Sequence, residues 1–223
     1  MSPLEALTAL ENPQKAAEMQ AYHKVERRYL GVANPQIDAL VKDWRSEMDV
    51  PQRIATASAL WDSNIHEARI AAGKLLTQAR IKTNEPQVWQ EIIRWVPSFD
   101  AWAVADHAAS AGSRRLVVDP ARMDELESWT TSENMWARRA ALIFALPHSK
   151  GRHLSDADTQ HRERVLGWAA TYTEDRAWFI QKAVGWWLRS LSKHDPMRVE
   201  LFLSEHGDKM KAFARREASK YLS

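Results

Sequence analysis

The chain has 223 residues, 45% hydrophobic and 27% charged, with a net charge of +2, eleven tryptophans and no cysteine. That length can bury a sizeable core, the missing cysteines exclude a disulfide framework and thiolate chemistry, and no run reaches the roughly 18 apolar residues of a membrane span. The N-terminus lacks the basic-then-apolar layout of a signal peptide, so a cytoplasmic location is expected.

Prolines mark where helices begin. Asn12-Pro13, Asn34-Pro35, Val50-Pro51, Asp119-Pro120 and Asp195-Pro196 each put Pro at a first helical position, several behind a side chain able to cap. Between these marks the apolar residues follow the helical period rather than alternating. The pattern predicts helices over 3–10, 13–29, 35–46, 51–61, 64–79, 86–95, 99–112, 120–129, 133–146, 156–172, 175–191, 196–204 and 208–221. Leu116-Val117-Val118 is too short for a strand, and no other segment reads as one. The polar loop from Pro147 to Ser155 is expected to be mobile. With seven glycines and no low-complexity linker, a single continuous domain over 1–223 is expected.

A phrase recurs within these helices, a tryptophan followed by small or polar residues and then another amphipathic stretch. It reads Leu60-Trp61-Asp62-Ser63-Asn64, Arg94-Trp95-Val96-Pro97-Ser98, Ser128-Trp129-Thr130-Thr131-Ser132 and Gly167-Trp168-Ala169-Ala170-Thr171, with tryptophan spacings of 34, 34 and 39. A near-constant period of this size signals stacked helical repeats, because each unit is too small to bury its own apolar stripe. The expected fold is all-α, a right-handed superhelical solenoid of paired antiparallel helices of HEAT-like or armadillo type with a concave basic groove. Charge is uneven: residues 1–134 hold 15 Lys and Arg against 19 Asp and Glu, whereas 135–223 hold 16 against 10. A basic half suggests a localised anionic partner, nucleic acid being the commonest, and a helical surface that merely favours arginine accounts for it equally.

No phosphate-cradling glycine loop or nucleophile elbow is present. The eight histidines lack ligand spacing paired to carboxylates, and His148 with His153 reads as a solvated pair, so neither metal nor cofactor is expected. Trp102 and Asp106 lie four apart, so an indole and a carboxylate share one helix face. That spacing also fits a core tryptophan beside an exposed or arginine-paired aspartate. In Trp178 through Arg189, the adjacent Trp186 and Trp187 point about 100° apart on a helix, so one can fill the core while the other faces a groove. Lys182 and Arg189 stand four before and three after Trp186, cations beside an aromatic surface, although packing tryptophans with solvated cations fit as well. Arg138-Arg139 behind Trp136, and Arg215-Arg216 with Lys220, place further cations where phosphates could be held.

Taken together, several stretches resemble the bacterial DNA alkylation repair family, the AlkD-like alkylpurine DNA glycosylases. They are Asn12-Pro13 through Tyr22-His23-Lys24, Tyr29-Leu30-Gly31-Val32, Leu60-Trp61-Asp62, Trp102 through Asp106, and Asn134-Met135-Trp136-Ala137-Arg138-Arg139-Ala140-Ala141. Phe179-Ile180-Gln181-Lys182-Ala183-Val184-Gly185-Trp186, Ser190-Leu191-Ser192-Lys193-His194-Asp195-Pro196 and Arg215-Arg216-Glu217-Ala218 continue the series. The resemblance covers essentially the whole chain in the same order.

The resemblance implies a concave groove that holds duplex DNA, and a monomer fits that one-groove picture. It implies Asp106 as the catalytic carboxylate, Trp102 and Trp186 against the alkylated nucleotide and its sugar, Tyr22 completing the aromatic cleft and Arg139 beside the DNA backbone. Lys24, Arg138, Lys182, Arg189, Arg215 and Arg216 join Arg139 as candidate DNA contacts. The implied reaction is hydrolysis of the N-glycosidic bond of cationic N3- or N7-alkylated purines, with the lesion left stacked and no metal or cofactor. Ala103 departs from the aspartate that family members often carry there, which bears on fine positioning rather than on the catalytic group. Two rival readings stand beside this one, a non-catalytic repeat scaffold gripping protein or nucleic acid, and an inactive relative that binds branched DNA only. The Trp102, Asp106 and Trp186 set with its basic flanks discriminates, since a protein scaffold has no need of it.

Overall fold

A computed structural model describes residues 1–222, in which thirteen α-helices and four short 3₁₀ turns account for the regular structure and no strand occurs among the described residues. Contacts group into two compact units, residues 1–115 and 116–223. The first unit holds α1 (Pro3–Thr8), α2 (Pro13–His23), α3 (Asn34–Glu47), α4 (Val50–Asp62), α5 (His66–Leu76), α6 (Glu85–Trp95) and most of α7 (Trp102–Val118). The second holds α8 (Met123–Trp129), α9 (Met135–Phe144), α10 (Asp156–Tyr172), α11 (Trp178–Ser192), α12 (Pro196–His206) and α13 (Ala212–Ala218). Each expected helix has a counterpart, and the Leu116-Val117-Val118 run completes α7.

The helix starts form for the reasons their sequences give. Ser2 and Asp49 build capping boxes with Glu5 and Gln52, and Asn12, Asn134, Ser155 and Asp195 each accept a first-turn backbone N–H. Two helix ends lie six residues from expectation: α7 runs on to Val118 instead of stopping at 112, and α2 stops at His23 instead of running to 29. Lys24 caps it with a left-handed φ of 56°, and the chain then crosses to the start of α5. There the buried Glu67 carboxylate accepts the backbone N–H of Leu30 at 2.9 Å and of Gly31 at 2.7 Å. Two charge-assisted bonds to one carboxylate outweigh another helical turn. Gly31 sits at φ +72°, and a Cβ there would meet the Asn12 carbonyl oxygen at 2.3 Å, so the crossing needs glycine.

In the first unit α5 packs on α3 and α4, with α1 against all three. Trp61 and Trp95 stack nearly parallel, centroids 4.4 Å apart, and their indole N–H groups donate to Ser98 and Glu91. The repeated tryptophans are thus mainly core: Trp61, Trp95, Trp129 and Trp168 are all buried. Gly73 lets α5 approach α7, since a Cβ there would lie 2.8 Å from the His107 carbonyl carbon.

In the second unit α11 is the central helix, touching α9, α10, α12 and α13. The Gln181 amide, wholly buried, donates to the carbonyls of Tyr172, Thr173 and Asp175 at 3.1, 3.0 and 2.9 Å, and its oxygen accepts the Lys211 N–H at 2.8 Å. It thereby joins the end of α10 to the start of α13. The loop after Pro147 is held rather than loose. Buried Arg162 donates to the carbonyls of His148, Lys150 and Gly151 at 3.1, 3.0 and 3.0 Å, and His148 faces His161 at 5.1 Å.

Candidate functional site

The first unit brings the end of α2 to the start of α7. Phe99, Ala101 and Ala103 are buried, which seats the first turn of α7 and leaves Trp102 half-buried at its rim. Tyr22, 70% exposed, presents its ring edge to Trp102 with centroids 6.4 Å apart and planes at 84°, a favoured aromatic geometry. His23 lies 5.5 Å from Trp102 and 4.4 Å from His66, and His66 lies 4.7 Å from Tyr29. Five rings therefore form one tier, exposed at Tyr22 and sealed at His66.

Burial decides the charge of that tier. Desolvation, with lesser contributions from His23, Arg27 and His107, pushes the His66 imidazole down to about 3, and desolvation and Arg27 lower His23. Both rings are neutral at neutral pH, so they do not repel a cation resting on Trp102. Beneath them the buried Arg27 guanidinium pairs with Asp100, and Arg69 stands 3.9 Å from the same carboxylate. This pair ties the 24–33 crossing to the residues immediately before α7.

Asp106 follows Trp102 by one helical turn and is half-buried. Val104, Ala105, Ala108 and Ala109 turn inward, leaving indole and carboxylate on the outer side of α7, an arrangement in which both can meet one ligand. The adjacent His107 is lowered to about 4, by burial first and by Lys74 second, with Asp106 opposing.

The second unit divides the two adjacent indoles as their angular offset requires. Trp187 is fully buried and donates to the Ala145 carbonyl at 3.2 Å, while Trp186 is half-buried. The cations are placed less simply. The Lys182 ammonium sits 4.7 Å over the Trp178 ring. Trp178 also stacks on Phe213 and meets Phe179 edge-on, forming an aromatic ridge with Trp136, whose ring is 4.6 Å from Phe179. Arg138 is engaged structurally: Nε and Nη2 reach Asp175 at 3.2 and 3.1 Å, and Nη1 donates to the Ser132 carbonyl at 2.7 Å. Arg139 is buried, Arg189 pairs with Glu217, and exposed Arg215 holds Asp208 at 3.2 Å. Arg216 is exposed beside Arg215, the two lining a cavity of about 370 Å³, and Lys24 is exposed at the end of α2.

Composition and spacing singled out Trp102 and Asp106 but not the layer behind them. His23 and Tyr29 lie in the resembling stretches, and Asp100 stands two residues before Trp102, so a signal existed for three members. His66 and Arg27 carry none in the local sequence. Among the described residues no group of three or more histidines and carboxylates could hold a metal ion, and no helix is long and apolar enough to cross a membrane.

Comparison with known proteins gives a consistent result. The profile of a family described as "DNA alkylation repair enzyme" matches residues 4–222. Among solved structures, a predicted DNA alkylation repair enzyme from Enterococcus faecalis is 25% identical with a TM-score of 0.77, the match covering 96% of this chain and 97% of that one. AlkD2 from Streptococcus mutans is 17% identical with a TM-score of 0.61, over 95% of this chain and 99% of that one, a likeness of fold. No curated protein sequence matches the chain.

Proposed function

Starting from the fact that this chain belongs to the DNA alkylation repair enzyme family, we propose that it is a DNA glycosylase hydrolysing the N-glycosidic bond of cationic N3- and N7-alkylated purines in duplex DNA. The observation that carries the reading is the Trp102 and Asp106 pair, one turn apart on α7, with Tyr22 edge-on to the indole. An N-alkylated purine is already positively charged and leaves without a strong general acid. As the bond from C1′ breaks, its electron pair neutralises the departing base and positive charge grows on the deoxyribose.

A fixed carboxylate beside that sugar stabilises the transition state and orients the water that attacks C1′. We assign both roles to Asp106. The water's proton passes to the carboxylate or to solvent, and the base leaves neutral. Trp102 supplies an electron-rich face to the cationic nucleotide, worth about 0.5–2 kcal/mol, and the neutral imidazoles behind it add no opposing charge. Trp186 offers the same chemistry in the second unit and is assigned the second indole. The lesion is taken to stay stacked, which predicts tolerance of bulky cationic adducts and rejection of neutral ones.

The test is release of N7-methylguanine from methylated duplex, followed by chromatography. Asp106→Asn should lower the single-turnover rate by about 10²–10³-fold while binding to undamaged duplex persists. Release at near wild-type rate by that variant removes the carboxylate from the mechanism.

A further inference from the structure

A cavity of about 400 Å³ opens between α3, α5 and α7, lined by Asp38, Lys42 and Arg45 of α3, Lys74 of α5, and His107 and Ser110 of α7 among others. It holds three permanent cations and one carboxylate. Arg45 is anchored, donating through Nη2 to the Lys74 carbonyl, so its guanidinium is preset at the wall rather than swinging free. The Lys74 ammonium is held 2.6 Å from Asp38, whose side chain is 60% exposed. Lys42 is exposed. Ser110 donates its hydroxyl hydrogen to the Asp106 carbonyl at 3.0 Å and so stands one turn beyond the candidate catalytic residue on the same face.

We propose that this cavity binds phosphate, and that in the DNA complex it takes a backbone phosphodiester of the strand whose sugar Asp106 engages. Three cations around one small cavity match an anion of that class, and an arginine with a fixed fork orients it while the lysines contribute charge. Asp38 is the place-holder: it satisfies Lys74 when the cavity is empty and can swing to solvent when a phosphate oxygen replaces it. The spacing agrees. Ser110, at the cavity wall, lies one helical turn beyond Asp106, about 6 Å along α7, so the cavity stands close to the sugar assigned to that carboxylate. The strand assignment rests on the reading of Asp106 given above, whereas the affinity of the cavity for phosphate does not.

The experiment is fluorescence anisotropy with a labelled undamaged duplex from 50 to 200 mM KCl, using the full chain, its Lys42→Met, Lys74→Met and Asp38→Asn variants, and a thermal melt of each. Loss of one phosphate contact should flatten the plot of log affinity against log salt by about 0.9 and weaken binding about fivefold near 0.15 M salt. Lys42→Met tests this at an exposed position that leaves the fold untouched. Asp38→Asn should bind duplex more tightly than wild type, an increase that a purely structural Asp38 would not give. Unchanged slopes in both lysine variants, with unchanged melting, overturn the proposal. A second arm adds inorganic phosphate at constant ionic strength. If it raises the melting temperature of wild type but not of Lys42→Met, while the duplex slopes stay equal, the cavity serves free phosphate and the DNA assignment falls. Base release assayed on the same proteins separates the two readings. Altered slopes without release by wild type sink the glycosylase and keep the cavity, and release with unaltered slopes does the reverse.

Discussion

Replacing His66 by Phe gives the sharpest test of the neutral tier behind Trp102. The imidazole is 1% exposed, lies between Tyr29 and His23, and neither ring nitrogen has a hydrogen-bond partner among the described residues. In the unfolded chain it binds a proton near its ordinary pKa, about 6.5; in the folded protein that pKa is pushed down to about 3. Stability from this group is therefore complete above the ordinary pKa and falls as acid is added, at up to about 1.4 kcal/mol per pH unit. Between pH 7 and 5 the loss from His66 alone is about 2 kcal/mol. Phe keeps an aromatic ring in the stack and removes the titration. Urea unfolding at pH 7 and 5 should show nearly unchanged stability at pH 7, since two buried unpartnered nitrogens are lost with the ring, and about 2 kcal/mol less decline between the two values. His107 and His148, both lowered to about 4, and His23, also lowered by burial, keep their own pH dependence in the variant. A variant whose decline equals that of wild type would show that His66 already takes up its proton in the folded state, and the account of the tier would fail.

Two further outcomes follow from buried contacts. Glu67→Gln turns one acceptor toward a backbone donor as a second N–H, so it should lower stability by about 2–3 kcal/mol and speed amide exchange at Leu30 and Gly31; a loss under about 1 kcal/mol would mean that the 24–33 crossing is held elsewhere. Arg138→Met should lower stability by about 1–3 kcal/mol through the half-buried Asp175 left behind, yet leave the salt dependence of duplex binding as in wild type. A slope reduced by about 0.9 would instead make Arg138 a phosphate contact.

Where helices begin was readable because the signals are local: a capping side chain, a proline and an apolar period within a few residues. The end of α2 was not, because it depends on Lys24 adopting a left-handed backbone and on the distant Glu67 claiming the N–H groups of Leu30 and Gly31, 37 and 36 residues before it. The same distinction holds at the site. Trp102 and Asp106 are neighbours in sequence and on the helix, so spacing alone singled them out. Arg27 and Asp100 are separated by 73 residues, and only folding discloses their pairing. Lys182 stands four residues after Trp178 and four before Trp186, and its ammonium lies over the Trp178 ring. The loop after Pro147 looked free because its own residues are polar, and the arginine that holds it comes from α10.

The stacked indoles of Trp61 and Trp95 give the first unit an optical signature of its own. Two identical chromophores 4.4 Å apart with planes only 7° from parallel share their excitation, and a twist between their long axes within those planes gives the pair a coupled band in circular dichroism that disappears once the rings separate. Both rings belong to residues 1–115. Followed beside the overall helical signal during heating, that band reports the melting of one half of the chain without any label, and shows whether the other half melts with it.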